Sequence, residues 1–317
     1  MATGTRKTLI TSAVQPRVVG DLATLIGDFE RSLRASNHSP RTIEIYGFSA
    51  RRLLKFLVAQ GMPTDVGRIN REHLEAFTAD QLDRFKPATA SQRYRALAQF
   101  WKWMAEEGEV ADNPFLRMRP VHVPEDPVPV ISDADLAKLL KTCDGNTFEA
   151  RRDTALIRLL IDCGPRCAGV INLRVSDVDR DQQVILVIDK GKRGARPRAV
   201  PYNRKTATAV DRYFRARRSH PHGELPDLWL GPKGPLSDSG LRQMLKRRGT
   251  QAGIGHIYPH MFRHTFAHQW QLSGGNERDL MQIMGWRSPA MLSRYGASAA
   301  AERARESHRR LAPGDRV

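Results

Sequence analysis

The chain has 317 residues, of which 51 are Lys or Arg and 34 are Asp or Glu, so its formal net charge is +17. This length allows two domains, and the basic excess indicates a polyanionic partner such as nucleic acid rather than a small-molecule substrate. Hydrophobic residues make up 40% of the sequence, and no stretch stays apolar over about 18 residues, which excludes a wholly disordered chain and a membrane-spanning helix.

The first half of the chain predicts a flexible tail over residues 1–18 and a helical domain over residues 19–112. A helical period begins after Asp21, and Ser39 followed by Pro40 is a typical N-cap and first helical position. Asn70 is the expected cap of a third helix, and a fourth begins near Thr89. Four short helices without a strand signal predict a small all-α domain. Its outer faces are expected to carry several arginines, namely Arg41, Arg51, Arg52, Arg93 and Arg95.

A proline-rich stretch separates this domain from the rest of the chain. It contains Pro114, Pro120, Pro124, Pro127 and Pro129. Repeated proline opposes helix formation, so residues 113–131 are predicted to be an extended linker. After it, Ser132 with Asp135 resembles a capping box and marks the beginning of a second domain over residues 132–317.

The second domain mixes helices and strands. An apolar helix is predicted over residues 151–163, and a β-hairpin with strands over 183–189 and 196–200 is predicted around a basic turn at 191–194. Further helices are predicted over 203–218, 237–252, 260–273, 276–284 and 288–294, and an Ala/Arg-rich C-terminal helix from about Ala299 to Leu311. The predicted fold class is α+β, mostly helical, with a small β-sheet or hairpin in the second domain.

Phosphodiester chemistry on a nucleic acid needs cationic groups around one phosphate, a nucleophile and an acid for the leaving oxygen. The acidic residues are scattered and show no cluster suited to a two-metal site, so we expect a metal-free site. His260 and Arg263 share one face of a predicted helix. The same His-x-x-Arg spacing recurs at His38 and Arg41, so the pair is not informative by itself.

The order of a larger set of residues is informative. Arg166 stands in Cys-Gly-Pro-Arg, Lys190 in Asp-Lys-Gly-Lys, His260 and Arg263 in Pro-His-Met-Phe-Arg-His, Trp286 in Met-Gly-Trp-Arg, and Tyr295 in Ser-Arg-Tyr-Gly. In this order the second half of the chain resembles the tyrosine recombinase family of phage integrases and Xer-type recombinases. The helical first half is similar, through weaker motifs, to the core-binding (SAM-like) domain of that family. The resemblance implies a two-domain, C-shaped clamp around duplex DNA, of the simple Xer-like type because the tail is short.

The resemblance also implies a role for each residue. Tyr295 would attack the phosphate and form a 3′-phosphotyrosyl link, while Arg166 and Arg263 stabilise the charge on the phosphate. Lys190 would protonate the leaving 5′-oxygen, and His260 would act as a general acid/base.

Trp286 stands where the family more often has histidine, and it would substitute through indole N–H donation and packing. Two neighbours compete for these roles: Lys192, which could replace Lys190, and Tyr258, which is the nearest alternative nucleophile. The family's usual motif at this position is Gly-Leu-Arg-x-x-Glu. In this chain Pro165 replaces the Leu and Gly169 replaces the Glu.

The glutamate of that motif normally orients the first arginine of the family's active site. Its replacement by Gly169 therefore leaves two interpretations open. Either Arg166 lacks that support and activity is reduced, or another acid, such as Asp162 or Asp177, has taken the role.

The implied function is site-specific DNA recombination through a Holliday junction, serving integration, excision or resolution. The expected partners are double-stranded DNA with inverted-repeat core sites and three further copies of the chain, forming a homotetramer on two sites, with a related recombinase or accessory factors as additional candidates. No ATP, metal or other cofactor is implied, because the phosphotyrosine ester retains the bond energy.

The three cysteines contain no Cys-x-x-Cys and the first residues have no signal-peptide core, so we expect a cytoplasmic, nucleoid-associated protein. The sequence leaves two rival classes open. A type IB topoisomerase-like enzyme would use the same residue types as a monomer, and a non-enzymatic DNA-binding regulator would retain only the fold, for which Gly169 is the best support.

Overall fold

The computed structural model describes residues 20–124, 129–191 and 194–316. The chain divides into two compact units, Met1–Glu125 and Asp126–Val317. Among the residues described, none of the helices combines the length and the apolar character that crossing a bilayer demands. The two units are taken in turn.

The first unit contains four helices: α1 (Leu22–Ala35), α2 (Pro40–Ala59), α3 (Arg71–Arg84) and α4 (Pro87–Glu106). Their N-termini follow the sequence signals, because the side chains of Asp21, Ser39 and Asn70 each accept a hydrogen bond from a backbone N–H of the first turn. The apolar period of each helix faces a shared core around Phe29 and Phe100, whose ring centroids lie 4.9 Å apart. The four-helix prediction is confirmed.

The first part of the predicted linker belongs to this core. Residues Pro114–Leu116 form a 3-10 turn, and Phe115 and Met118 are buried in the first unit. The Tyr94 hydroxyl donates a hydrogen bond to the Met118 carbonyl (3.2 Å), and the Tyr94 and Phe115 rings pack at 5.1 Å. The prediction of an extended linker from residue 113 was therefore wrong for this part. Proline is compatible with a 3-10 turn, and the apolar side chains between the prolines find a core to fill.

One predicted surface arginine is also buried. Arg93 in α4 is only 8% exposed, donates a hydrogen bond to Gln81 and lies 4.0 Å from the ring centroid of Phe85. Burial lowers its pKa, and the neighbouring Arg52 contributes to the same shift. Arg93 therefore stabilises the packing of α4 on α3 and does not lie on an outer face.

The second unit is built around the apolar helix α6 (Phe148–Cys163), which packs against α8 (Arg204–Arg217) and α10 (Pro259–Leu272). Its other helices are α5 (Asp133–Lys141), α7 (Cys167–Ile171), α9 (Asp238–Gln251), α11 (Glu277–Met284) and α12 (Ala290–Leu311). The antiparallel sheet β1 (Val178–Asp179), β2 (Val184–Gly191) and β3 (Gly194–Pro201) contains the predicted hairpin, whose register pairs Val184 with Pro201 and Lys190 with Ala195. A small hairpin, β4 (Leu230–Gly231) with β5 (Gly234–Pro235), precedes α9. The α+β class is confirmed.

A buried ionic cluster fixes α6 to α9. Asp153 is fully buried and accepts hydrogen bonds from Arg152 Nη2 (2.7 Å) and from Arg248 Nη2 (2.8 Å). Arg247 adds a longer contact at 3.3 Å. A buried carboxylate with this many cationic donors is satisfied, whereas removal of one partner would leave charge unpaired in the core.

The C-terminal part differs from the prediction of two separate helices over 288–294 and about 299–311. The structure has one helix, α12, of 22 residues, and Tyr295 lies inside it. The Ala-rich sequence after residue 296 has high helix propensity, so the helix continues past Gly296. The candidate nucleophile is consequently held by a helix and not by a loop.

Candidate active site

The turn after α6 presents Arg166. Gly164 ends the helix in the left-handed conformation (φ 53°), and a Cβ at this position would approach Phe266 to 3.0 Å, so both the backbone and the space favour glycine. Arg166 follows as the N-cap of the short helix α7, with its side chain exposed. The sequence Gly-Pro-Arg therefore turns the chain sharply and directs the arginine towards solvent beside α10.

Arg263 is the buried cation of the site. It is 1% exposed, and its guanidinium donates to the carbonyl of Gly164 through Nη1 (2.9 Å) and to that of Met284 through Nη2 (2.6 Å). These bonds tie the end of α6 and the end of α11 to α10. Burial lowers the pKa of Arg263 to about 10, the nearby charge of Arg166 adds to the shift, and Tyr295 opposes it. Arg263 remains charged at neutral pH, and the two carbonyls that it bonds are neutral groups.

Tyr295 lies beside this cation. It is 5% exposed, and its hydroxyl oxygen lies 3.2 Å from Nε2 of His260. The ring stacks on His264 with centroids 4.1 Å apart and an interplanar angle of 21°, and it also packs against Trp286 at 4.7 Å. The phenol is therefore fixed on both its polar and its apolar sides.

The spacing along α10 explains this arrangement. His260 lies in the first turn, and Arg263 and His264 follow three and four residues later, so all three share one face. His260 is exposed, whereas Arg263 and His264 are buried. The helix thus places the His260 imidazole at the surface and the Arg263 guanidinium beneath it.

Trp286 shows the expected packing but not the expected hydrogen-bond donation by its indole N–H. It is 6% exposed and packs against Tyr295 and over Arg263, 5.5 Å from the guanidinium carbon. Its indole N–H is buried and has no hydrogen-bond partner among the described residues. The packing expected from the sequence is present, and the N–H is an unused donor inside the site.

The remaining predicted residues lie as follows. The backbone of Lys190 is in β2, while its side chain and the whole of the competing Lys192 fall outside the described residues. Tyr258 is the N-cap of α10, and its ring packs 5.7 Å from that of His256.

The two acids proposed to replace the missing glutamate are engaged elsewhere. Asp162 accepts from the Asn203 side chain at 2.8 Å, and Asp177 accepts from the Arg174 backbone at 2.8 Å. Neither contact supports Arg166.

Sequence reasoning missed three residues at this site. His264 stacks on Tyr295, and its sequence signal was its place directly after Arg263 on the same helix face. Arg198 of β3 donates to the Ile283 carbonyl, which links the hairpin to α11, and it also lowers the pKa of Arg263. Asp238 lies at the N-terminus of α9 and lines, with Arg166 and His260, one cavity of about 640 Å³. Neither Arg198 nor Asp238 has a local sequence signal.

Comparison with known proteins identifies the class. The model of the phage integrase family matches residues 129–302, more than half of the 317-residue chain. The chain therefore belongs to the phage integrase family, and it is an enzyme of the tyrosine site-specific DNA recombinase class. This membership decides between the three classes that the sequence left open.

The chain is similar to curated members over most of its length. It is 30% identical over 224 residues to the tyrosine recombinase XerD of Neisseria meningitidis serogroup A, covering 69% of this chain and 76% of that protein. It is 26% identical over 262 residues to the tyrosine recombinase XerC of Oceanobacillus iheyensis, covering 80% and 84%. Among solved structures, the Tn1549 transposon integrase in complex with transposon right-end DNA shares the fold with a TM-score of 0.71 at 19% identity, covering 92% of this chain and all (100%) of that one.

Proposed function

We propose that this site cleaves and rejoins DNA through a covalent bond to Tyr295. The observation that carries the proposal is the placement of the Tyr295 hydroxyl 3.2 Å from His260 Nε2 and beside the buried cation Arg263. A phenol has a pKa of about 10, so it needs a base for its proton and a cation for its negative charge. The site offers both.

In the cleavage step, the Tyr295 oxygen attacks the scissile phosphorus while its proton passes to His260 Nε2, which requires the histidine to carry its other proton on Nδ1. The Tyr–O–P bond forms and the bond from phosphorus to the 5′-oxygen breaks. Lys190 gives a proton to that oxygen, a role that rests on the family resemblance and on its position in β2. The reverse sequence rejoins the DNA.

Charge on the non-bridging oxygens is stabilised by donors already in place. Arg263 is held by two carbonyls, and Arg166 is exposed near it, so the phosphate would bind between a buried and an exposed guanidinium. The buried indole N–H of Trp286, which has no hydrogen-bond partner among the described residues, is a further candidate donor. Ground-state binding and transition-state stabilisation then need no metal ion.

The DNA partner and the assembly belong to the same proposal. We infer that the chain binds inverted-repeat core sites in duplex DNA, because structural relatives are bound to core-site or transposon-end DNA and this chain has a net charge of +17. Four copies would assemble on two sites and pass through a Holliday junction, in the cytoplasm and on the nucleoid. Exposed Ala304, Arg305 and Leu311 in the last turns of α12 support docking of this segment on a neighbouring copy.

Trapping of the covalent adduct tests the catalytic proposal. The substrate is a nicked duplex of the inverted-repeat site that the wild-type protein selects from a random DNA pool, so that the broken strand cannot be rejoined. Wild type should give an adduct that survives denaturation. Tyr295→Phe should give none while binding DNA within about twofold of wild type, because affinity comes from many phosphate contacts.

Tyr258→Phe is the matched control, since it removes the same hydroxyl from the competing tyrosine and should leave the adduct intact. An adduct that persists in Tyr295→Phe and disappears in Tyr258→Phe would assign the nucleophile to the other tyrosine.

A further inference from the structure

The position of Arg166 depends on a very short helix. Arg166 is the N-cap of α7, which has only five residues, and its own side chain makes no capping bond. A helix of this length is not stable by itself, so its orientation is set by the elements that it contacts. In a capping box, a Glu or Gln at the third helical position bonds back to the N-cap. That position is Gly169, which has no side chain to do so.

A contact from α9 supplies an external anchor. The thiol of Cys167, the first residue of α7 and the direct neighbour of Arg166, donates a hydrogen bond to Oδ1 of Asp238. Asp238 is the first residue of α9, where the helix dipole favours a carboxylate. Helices α7 and α9 also pack against each other. The bond therefore joins the end of α7 that presents Arg166 to a longer, 14-residue helix.

Arg242 completes the anchor. Its Nε donates to Oδ2 of Asp238 at 2.9 Å, one turn along α9. Arg242 also reaches Oδ1 through a longer contact from Nη2 (3.5 Å), so Oδ1 is shared between the thiol and the guanidinium, while the guanidinium bonds mainly to Oδ2. The arginine also offsets the negative charge, so a carboxylate is tolerated in a cavity that Arg166 and His260 line.

The protonation states suit this bond. Burial and the neighbouring Asp238 raise the pKa of the Cys167 thiol to about 12. The bond from Arg242 lowers the pKa of Asp238, and the thiol contributes to the same shift. At neutral pH the thiol keeps its proton and the carboxylate is ionised, so one is a donor and the other an acceptor.

We propose that Asp238, through the Cys167 thiol and with Arg242 holding its other oxygen, is the positioning residue that orients Arg166 towards the scissile phosphate. The inference rests on the proposed function of this site. The inference also offers a candidate for the substitute acid that the sequence left open, and this candidate lies on a different helix from Arg166. Because Asp238 acts through Cys167 and α7, it affects how often Arg166 is correctly placed, not which groups react.

The test compares single-turnover cleavage of the nicked duplex with affinity for the same DNA. Cys167→Ala removes the donor and should slow cleavage about fivefold, the rate equivalent of roughly 1 kcal/mol for one hydrogen bond. Cys167→Ser restores a donor and should recover most of the rate. DNA affinity should stay within about twofold in both variants, because few of the many phosphate contacts change. Cys143→Ala makes the same chemical change at a buried thiol outside the cavity and should leave the rate unchanged.

A double-mutant cycle identifies the partner. Asp238→Ala should slow cleavage as Cys167→Ala does, and the double variant should be no slower than the worse single variant, because both changes break one bond. Multiplicative losses, an unchanged rate in Cys167→Ala, or equal losses of rate and affinity would each overturn the positioning role. The proposed function fails separately, through loss of the adduct in wild type or its persistence in Tyr295→Phe.

Discussion

Replacement of Arg263 by lysine tests the electrostatics of the site most sharply. Arginine holds two carbonyl oxygens at once, at 2.9 Å and 2.6 Å, with a planar group that keeps its charge. An ammonium group has three donors but lacks the planar fork that fixes the separation of Nη1 and Nη2, so lysine cannot reproduce both bonds in the same geometry. These two bonds orient the guanidinium that is proposed to stabilise the phosphate, and loss of a preorganised donor at a reacting centre costs about 10²–10³-fold in rate. We expect single-turnover cleavage by Arg263→Lys to fall by this factor at pH 7.

The same variant should acquire a dependence on pH. Burial and the neighbouring Arg166 lower the pKa of Arg263 from its usual value to about 10. Lysine begins from a lower pKa of about 10.4, and burial beside Arg166 would lower it further, towards the range of the assay. As the pH rises from 7 to 9, the wild-type arginine keeps its proton whereas the lysine loses its proton and its charge. The rate of the variant should therefore decline over this interval, approaching tenfold per pH unit above its pKa, while that of wild type does not.

The control is Arg166→Lys, which makes the same change at an exposed arginine. A lysine in contact with water remains protonated between pH 7 and 9, so this variant should be slower without the added decline. Unfolding midpoints and DNA affinities at each pH separate catalysis from folding and binding. A flat pH profile for Arg263→Lys, or the same decline in both variants, would refute the assignment of Arg263 as the buried cation of the reaction.

Three further outcomes are expected. Cleavage should be unaffected by EDTA, because guanidinium groups replace metal ions around the phosphate, and a strict requirement for magnesium in the cleavage step would contradict the tyrosine mechanism. Deletion of residues 297–317 should weaken paired-site complexes in gel shifts more than single-site binding, whereas equal losses would place the segment on its own protomer. Asp153→Ala should lower the free energy of unfolding in urea by about 3–5 kcal/mol, because Arg152 and Arg248 lose their buried partner. The control is Asp181→Ala, which removes an exposed carboxylate. Similar losses of stability in the two variants would contradict a special role of the buried cluster.

The sequence alone determined what depends on neighbouring residues. Ser39-Pro40 and Asn70 set helix beginnings because a cap bonds to a backbone N–H only two or three residues away. The apolar period of α1 identified its buried face for the same local reason. The order of residue types from Arg166 to Tyr295 indicated the family, because it follows the order of that family's motifs. The spacing of His260 and Arg263 also placed both on one face of a helix, since residues three positions apart are neighbours on a helical surface.

Tertiary structure decided the contacts between residues distant along the chain. Periodicity shows which face of a segment is buried but not what covers it, so Phe115 and Met118 were assigned to a linker although a core accommodates them. Arg263 is held by carbonyls of Gly164 and Met284, and Cys167 is bound by Asp238, and none of these pairs shares an element. A long-range hydrogen bond leaves no local pattern because its free energy is realised only when packing brings the two groups together. The charge state of the buried arginine and the identity of the acid near Arg166 therefore follow from the folded arrangement and not from the order of residues.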